Sequence, residues 1–200
     1  MKPKQPIALF PVPALEDIQP DIRERILRIQ DKSGFIPNIF LALADRPAEF
    51  RAFFDYHDAL MDSESKLTKG EREMIVVATS GLNQCLYCVV AHGAILRIRE
   101  KNPTLSDQLA TNYRKADITP KQRAMLDYAV KVSRAAHEIT EQDHALLRAE
   151  GFSQDDIWQI GAISAFFAMS NRIANMTSLQ PNDEFSVSYT HLTLPTTPYV

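Results

Sequence analysis

The chain has 200 residues, enough for one domain, or two small ones, with a core that supports itself. Hydrophobic residues make up 45% and charged residues 24%, the balance of a soluble globular protein, which excludes disorder over most of the chain. The net charge is −3 with no long Lys/Arg run, which disfavours a general nucleic-acid or anionic-membrane binder.

The longest apolar stretch, 157–169, is broken by Gln159 and Ser164 and is shorter than the ~20 residues of a spanning helix. The N-terminus starts basic, but Pro6, Pro11 and Pro13 interrupt any signal-peptide apolar core. These features suggest a soluble, non-secreted, cytoplasmic protein with neither nucleic acid nor membrane as partner. Two cysteines, Cys85 and Cys88, cannot form the disulfide framework of a small secreted scaffold. In a reducing compartment a CxxC pair indicates redox chemistry or half a metal site.

Residues 1–15 carry four prolines and read as an extended arm. From Asp17 onward the pattern is helical. Ile22, Ile26 and Ile29 share one face, and Gly34 ends that segment. Pro37 opens a short apolar helix that Pro47 closes, and Phe50, Phe53, Phe54 and Leu60 form the next stripe. Thr68 with Glu71 and Thr119 with Gln122 fit capping boxes, and Thr140/Asp143 and Ser153/Asp156 are looser versions. The spacing predicts helices near 20–33, 37–45, 47–62, 69–81, 84–100, 105–114, 120–136, 141–150 and 154–176, with no convincing strand alternation. The fold class is all-α.

The segments starting at Thr68 and Thr119 resemble each other at Arg72/Arg123, Met74/Met125 and Ala78/Ala129. A degenerate duplication and two helices with a common cap and stripe explain this equally well. After Phe185 the chain runs SVSYTHLTLPTTPYV, with four threonines, two prolines, no Asp, Glu, Lys or Arg and no helical period. It resembles translated vector sequence, so 186–200 is read as a non-native tail and 16–180 as the helical domain.

The chemistry concentrates in Glu73-MIVVATSGLNQ-Cys85-L-Tyr87-Cys88-VVA-His92. Gly81 is expected to end one helix and Asn83 to cap the next, which puts Cys85 in its first turn. Cys85, Cys88 and His92 then lie along one helical stripe. The thiolate is the nucleophile, and a helix N-terminus or nearby imidazole raises its fraction. A second cysteine one turn away can capture a sulfenic acid as a disulfide. Glu73, in an otherwise apolar stretch, could orient the histidine. The proximity of His92 favours Cys88 as the more acidic thiol over Cys85, whose helix-dipole advantage is worth only ~0.3–1 kcal/mol.

This window is similar to the alkylhydroperoxidase D / carboxymuconolactone decarboxylase superfamily, whose redox members carry Glu-x11-Cys-x-x-Cys-x-x-x-His. The segments GFIPNIFLALADRP at 34–47 and FFAMSNRIAN at 166–175 support its peroxidase-related branch, and the resemblance covers about residues 6–180. It implies an all-helical bundle that forms homo-oligomers and reduces hydroperoxides with electrons from a dithiol donor of the lipoyl or thioredoxin type. It also implies Cys88 as peroxidatic and Cys85 as resolving cysteine, His92 as base and Glu73 as relay. No cofactor is implied beyond a redox-active Cys85–Cys88 disulfide. Tyr87 stands where the best-known members carry histidine. A phenol with a pKa of about 10 donates a hydrogen bond but is a poor base at neutral pH.

Other readings are weaker. Cys85, Cys88 and His92 supply three zinc ligands on one helix face, whereas structural zinc takes four around a tetrahedron. A thioredoxin-like domain needs a βαβ context that is missing. Lactone decarboxylation, also known in the superfamily, does not depend on a CxxC pair. A non-catalytic redox sensor or disulfide carrier stays open. His57, His137 and His144 read as solvated or structural, and Trp158, Phe166 and Phe167 as core or interface residues. Asn171 and Arg172 belong to the resemblance without an assigned role.

Overall fold

The computed structural model describes residues 6–187, which are helical with no strand among them. The helices are α1 (Pro20–Ser33), α2 (Asn38–Leu43), α3 (Pro47–Met61), α4 (Lys69–Leu82), α5 (Leu86–Glu100), α6 (Leu105–Asn112), α7 (Pro120–Ala135), α8 (Glu141–Ala149), α9 (Gln154–Met176) and α10 (Glu184–Val187). All nine expected helices are present with ends within two residues, the usual boundary uncertainty. Residues 188–200, most of the segment read as a non-native tail, lie outside the described residues. No described helix is long and apolar enough to cross a membrane.

The capping chemistry sets the starts. Thr68 and Thr119 each accept from the N–H three residues on, and Glu71 and Gln122 accept from the cap N–H in return. Ser153 and Asp156 close the same box on α9. Arg72 and Arg123 also behave alike, each reaching back to carbonyls of the chain before its helix. Arg72 donates to Leu60, Met61 and Ser63, and Arg123 to Arg114 and Ala116.

The centre of the molecule is α4. Ten of its 14 residues are buried, including Met74 through Ser80 in an unbroken run, so α4 must be enclosed on all sides. Helices α5, α6, α7 and α9 pack around it. A second layer is made by α1, α2 and α3, whose Ile22, Ile26, Leu43, Phe50 and Phe54 form their own cluster. Residues 6–14 lack regular structure but are docked: Leu9 N–H donates to Thr177 O, and Gln180 N–H to Ile7 O. Asn38 Nδ2 and Asn182 Nδ2 donate to Gln180 O and Ile36 O, tying the C-terminal segment to α2.

One sequence expectation needs correction here. Gly81 does not end α4, since it lies inside the helix, which runs to Leu82. Its role is close approach: a Cβ there would sit 2.4 Å from Ala110 O and 2.9 Å from Ala110 Cα on α6. Of the three residues read as core or interface, Phe166 and Phe167 are buried in the core, whereas Trp158 on the same helix is 75% exposed on the single chain, which leaves the interface alternative.

Gly81→Ala should therefore force α4 and α6 apart. Overpacking against backbone costs about 1–3 kcal/mol, so thermal melting followed by circular dichroism should show a loss of roughly 2–12 °C. An unchanged melting temperature would mean that the helices separate freely.

Candidate functional site

The site is assembled where α4 turns into α5. Residue Gln84 has φ +53°, and the N–H groups of Gln84 and Cys85 donate back to Gly81 O and Ser80 O. This reversal ends α4 at Leu82, with Asn83 as its C-cap, and delays α5 until Leu86. Cys85, not Asn83, is thus the N-cap of α5, and its Sγ accepts from Cys88 N–H at 3.5 Å. Asn83 is engaged elsewhere, its Nδ2 donating to Ser133 Oγ and Asn171 Oδ1.

Both cysteines are reduced and buried, 1% and 2% exposed. One turn beyond Cys88, His92 Nδ1 lies 2.8 Å from Glu73 Oε2 of α4. Both side chains are largely enclosed, at 14% and 9% exposure. A carboxylate at Nδ1 fixes the tautomer with hydrogen on Nδ1 and leaves Nε2 for chemistry. Phe167 of α9 presses edgewise on the ring, with centroids 4.8 Å apart.

Cys88 and His92 open on a cavity of about 180 Å³. Its walls are aromatic and aliphatic, including Phe35, Phe40, Phe53, Phe54, Phe167 and Phe185, with Ser170 near the thiol. Cys88, rather than Cys85, lines it. Five elements close the space: α1, α2, α3, α5 and α9, with α10 contributing Phe185.

The acidity of the pair is the reverse of the expected order. A hydrogen bond from the Cys88 thiol brings Cys85 down to about 7, against the opposing effect of burial, and the Cys88 N–H, the His92 ring and the Asn171 amide assist. Cys88 is pushed well up, first by donating to Cys85, then by burial and the Cys85 charge. Physically, an N-cap sulfur sits where backbone N–H groups and the helix dipole favour negative charge. The pair therefore gives up one proton near neutrality and holds the second between the sulfurs.

Asn171 of α9, without a role in the sequence reading, proves to be part of the site. It is fully buried, donates to Ser80 Oγ, and its amide favours the charged form of both thiols. A polar Ser170–Asn171 pair inside an apolar helix was the available signal, because buried amides need partners. Tyr87 is placed as a wall and a tie. Its hydroxyl accepts from Ile39 N–H at the start of α2, and burial holds the phenol well above its ordinary value, so it stays protonated. His57, read as solvated or structural, is partly exposed and also belongs to the cavity lining. The signal was its place on the Phe50/Phe53/Phe54 face of α3. His144 is structural, in contact with Tyr128 Oη, and His137 is exposed. Among the described residues no group of three His, Cys, Asp or Glu could hold a metal ion.

Residues 47–111 match the carboxymuconolactone decarboxylase family. An uncharacterised peroxidase-related protein of Ralstonia eutropha JMP134, described as an alkylhydroperoxidase AhpD core, is 62% identical, with TM-score 0.92 over 94% of this chain and 99% of that one. This chain belongs to the alkylhydroperoxidase D-like, carboxymuconolactone decarboxylase superfamily. A peroxidase-related protein of Silicibacter sp. TM1040 is 40% identical, with TM-score 0.86 over 92% of this chain and 96% of that one. The debrominase Bmp8 shares the fold at 18% identity, with TM-score 0.74 over 92% of this chain and 95% of that one. A comparison with curated proteins gives no match.

Titration followed by thiolate absorbance should show one thiolate per chain appearing with a midpoint near 7, present above it and lost below it. The second should ionise only at strongly alkaline pH. Cys85→Ala should abolish the neutral-pH step, and its survival in that variant would put the charge on Cys88.

Proposed function

We propose that the protein is a thiol-dependent peroxidase that reduces hydroperoxides, with Cys88 as the attacking sulfur. The observation that carries this reading is the placement of Cys88 and a carboxylate-held imidazole on one enclosed apolar cavity, with a second thiol directly behind. Cys88 passes its proton to the Cys85 thiolate, or to His92 Nε2, and becomes the nucleophile. Its thiolate attacks the distal oxygen of the hydroperoxide. The O–O bond breaks, Cys88 becomes a sulfenic acid, and the alkoxide leaves with one added proton. The Cys85 sulfur then attacks Cys88, releasing water and forming the Cys85–Cys88 disulfide.

An external dithiol of the lipoyl or thioredoxin type resets the pair, so the redox group is the disulfide itself. The acidity order does not reassign the attacking sulfur, because attack requires access and Cys88 is the one at the cavity. It does explain how a buried, unacidic thiol is activated: the base is its neighbour. Glu73 acts through His92 as a positioning residue. Tyr87 holds α5 to α2 rather than moving protons. The homo-oligomer that the family implies is part of the proposal.

Turnover of an organic hydroperoxide with dihydrolipoamide as reductant should occur in the wild type and fall at least about 100-fold in Cys88→Ser. Full turnover in Cys88→Ser would overturn the assignment. One equivalent of oxidation followed by arrest would favour a redox sensor or disulfide carrier. His92→Ala should lower turnover by about 10²-fold or more, the usual contribution of a positioned acid–base group. Glu73→Gln should give part of that loss, and an unchanged rate in both would remove the base role.

A further inference from the structure

The cavity holds a second imidazole. His57 lies on α3, across the same space as Cys88 and His92, and its ring packs against Phe167 with centroids 6.2 Å apart. Phe167 is thus in edge contact with both imidazoles. His57 Nδ1 lies 3.1 Å from Asp58 Oδ1. Asp58 Oδ2 accepts from Arg25 Nη2 at 2.6 Å. The same guanidinium binds Asp55 at 3.1 Å and lies 5.3 Å over the Phe54 ring.

Burial alone would push the Asp58 carboxyl up, but the His57 hydrogen bond and the Arg25 charge outweigh it and hold it below its ordinary value. Asp58 is then a carboxylate that holds a hydrogen on His57 Nδ1, so Nε2 is the ring position left to take up and give out a proton. This repeats the Glu73–His92 arrangement on a different helix.

The two dyads differ in their access to water. The Glu73 and His92 side chains are 9% and 14% exposed, whereas those of Asp58 and His57 are 52% and 27% exposed. The imidazole beside the thiol is the less exposed of the two, and the His57–Asp58 pair has the greater contact with bulk solvent, from which it can take up a proton. We infer that His57, oriented by Asp58, is the acid that protonates the departing alkoxide. The inference rests on the peroxidase reading above.

In this step Cys88 sulfur bonds the distal oxygen, which keeps the hydroperoxide's own proton and becomes the sulfenic hydroxyl. The O–O electron pair goes to the proximal oxygen, which takes a proton from Nε2 of protonated His57 and departs as an alcohol. His57 recovers its proton from water. The thiol proton of Cys88 has already left by Cys85 or His92, so no further co-reactant is required.

The test compares leaving groups of similar size. tert-Butyl hydroperoxide expels a strongly basic alkoxide that needs the proton, whereas peracetic acid expels acetate, which does not. Oxidation of the reduced pair to the disulfide is followed in single turnover by mass spectrometry, so no reductant enters the measurement. His57→Gln should slow tert-butyl hydroperoxide about 100-fold while changing the peracetic acid rate less than about threefold. Asp58→Asn should show the same selectivity with a smaller loss. Cys88→Ser should abolish oxidation by both.

A wall residue that merely shapes the cavity would slow both peroxides alike. That result, or unchanged rates in His57→Gln, overturns the role of His57 and leaves the peroxidase reading standing. A wild-type protein whose pair is oxidised by neither peroxide overturns the peroxidase reading, and the role of His57 with it.

Discussion

Glu73 is a carboxyl group on the most enclosed helix of the protein, 7% exposed amid a run of apolar side chains. A buried carboxylate without a partner is among the costliest features a fold can carry. It is met by His92, nineteen residues later, at 2.8 Å. That single contact sets the rotation and height of α5 against α4, because both helices must present those side chains to each other. Once α5 is held there, Cys88 one turn earlier faces the cavity and Cys85 falls at the cap. The positions of the thiols are thus consequences of where the carboxylate is neutralised.

The same geometry resolves a conflict between burial and reactivity. A cavity walled by phenylalanines excludes water and raises the cost of any charge within it. A single thiol there would stay protonated and inert. Moving the charge one turn back, to a sulfur that accepts a backbone N–H, a thiol hydrogen and the influence of a buried amide, keeps a thiolate available near neutrality. In the proposed reaction the nucleophile at the cavity is then made by a proton shift to Cys85 or His92, not by ionisation into an apolar space. Asn171 and Asn83 matter because they fix this polar layer across α4, α7 and α9 through Ser80 and Ser133.

The local parts of this arrangement were legible in the sequence. Helix starts at Thr68, Thr119 and Ser153 depend on residues three apart, so the capping chemistry places them without tertiary information. Cys88 and His92 were legible for the same reason, since helical spacing sets them one turn apart, whereas Glu73 stood out as a carboxyl in an otherwise apolar stretch and through the motif the chain resembles. What spacing did not carry was everything set by contact between distant segments. Gly81 looked like a helix end because the approach of α6 is invisible in the chain. Asn83 looked like a cap because its true partners are Ser133 and Asn171, 50 and 88 residues away. The two-residue shift of the cap moved Cys85 from a helical turn to the place where its sulfur receives the N–H, which favours the charge there rather than on Cys88.

The cavity shows why such a site needs a whole bundle rather than a motif. The window from Glu73 to His92 supplies the thiols and one imidazole, but the walls come from α1, α2, α3, α9 and α10. Tyr87 links the two halves, since its hydroxyl accepts the Ile39 N–H at the start of α2, beside the Asn38 N–H that Asn182 Oδ1 accepts. A histidine at that position would offer a titrating ring, whereas a buried phenol offers a fixed hydrogen-bonding post. Among those walls, α3 carries His57 with its own carboxylate, a pair more exposed than Glu73 and His92.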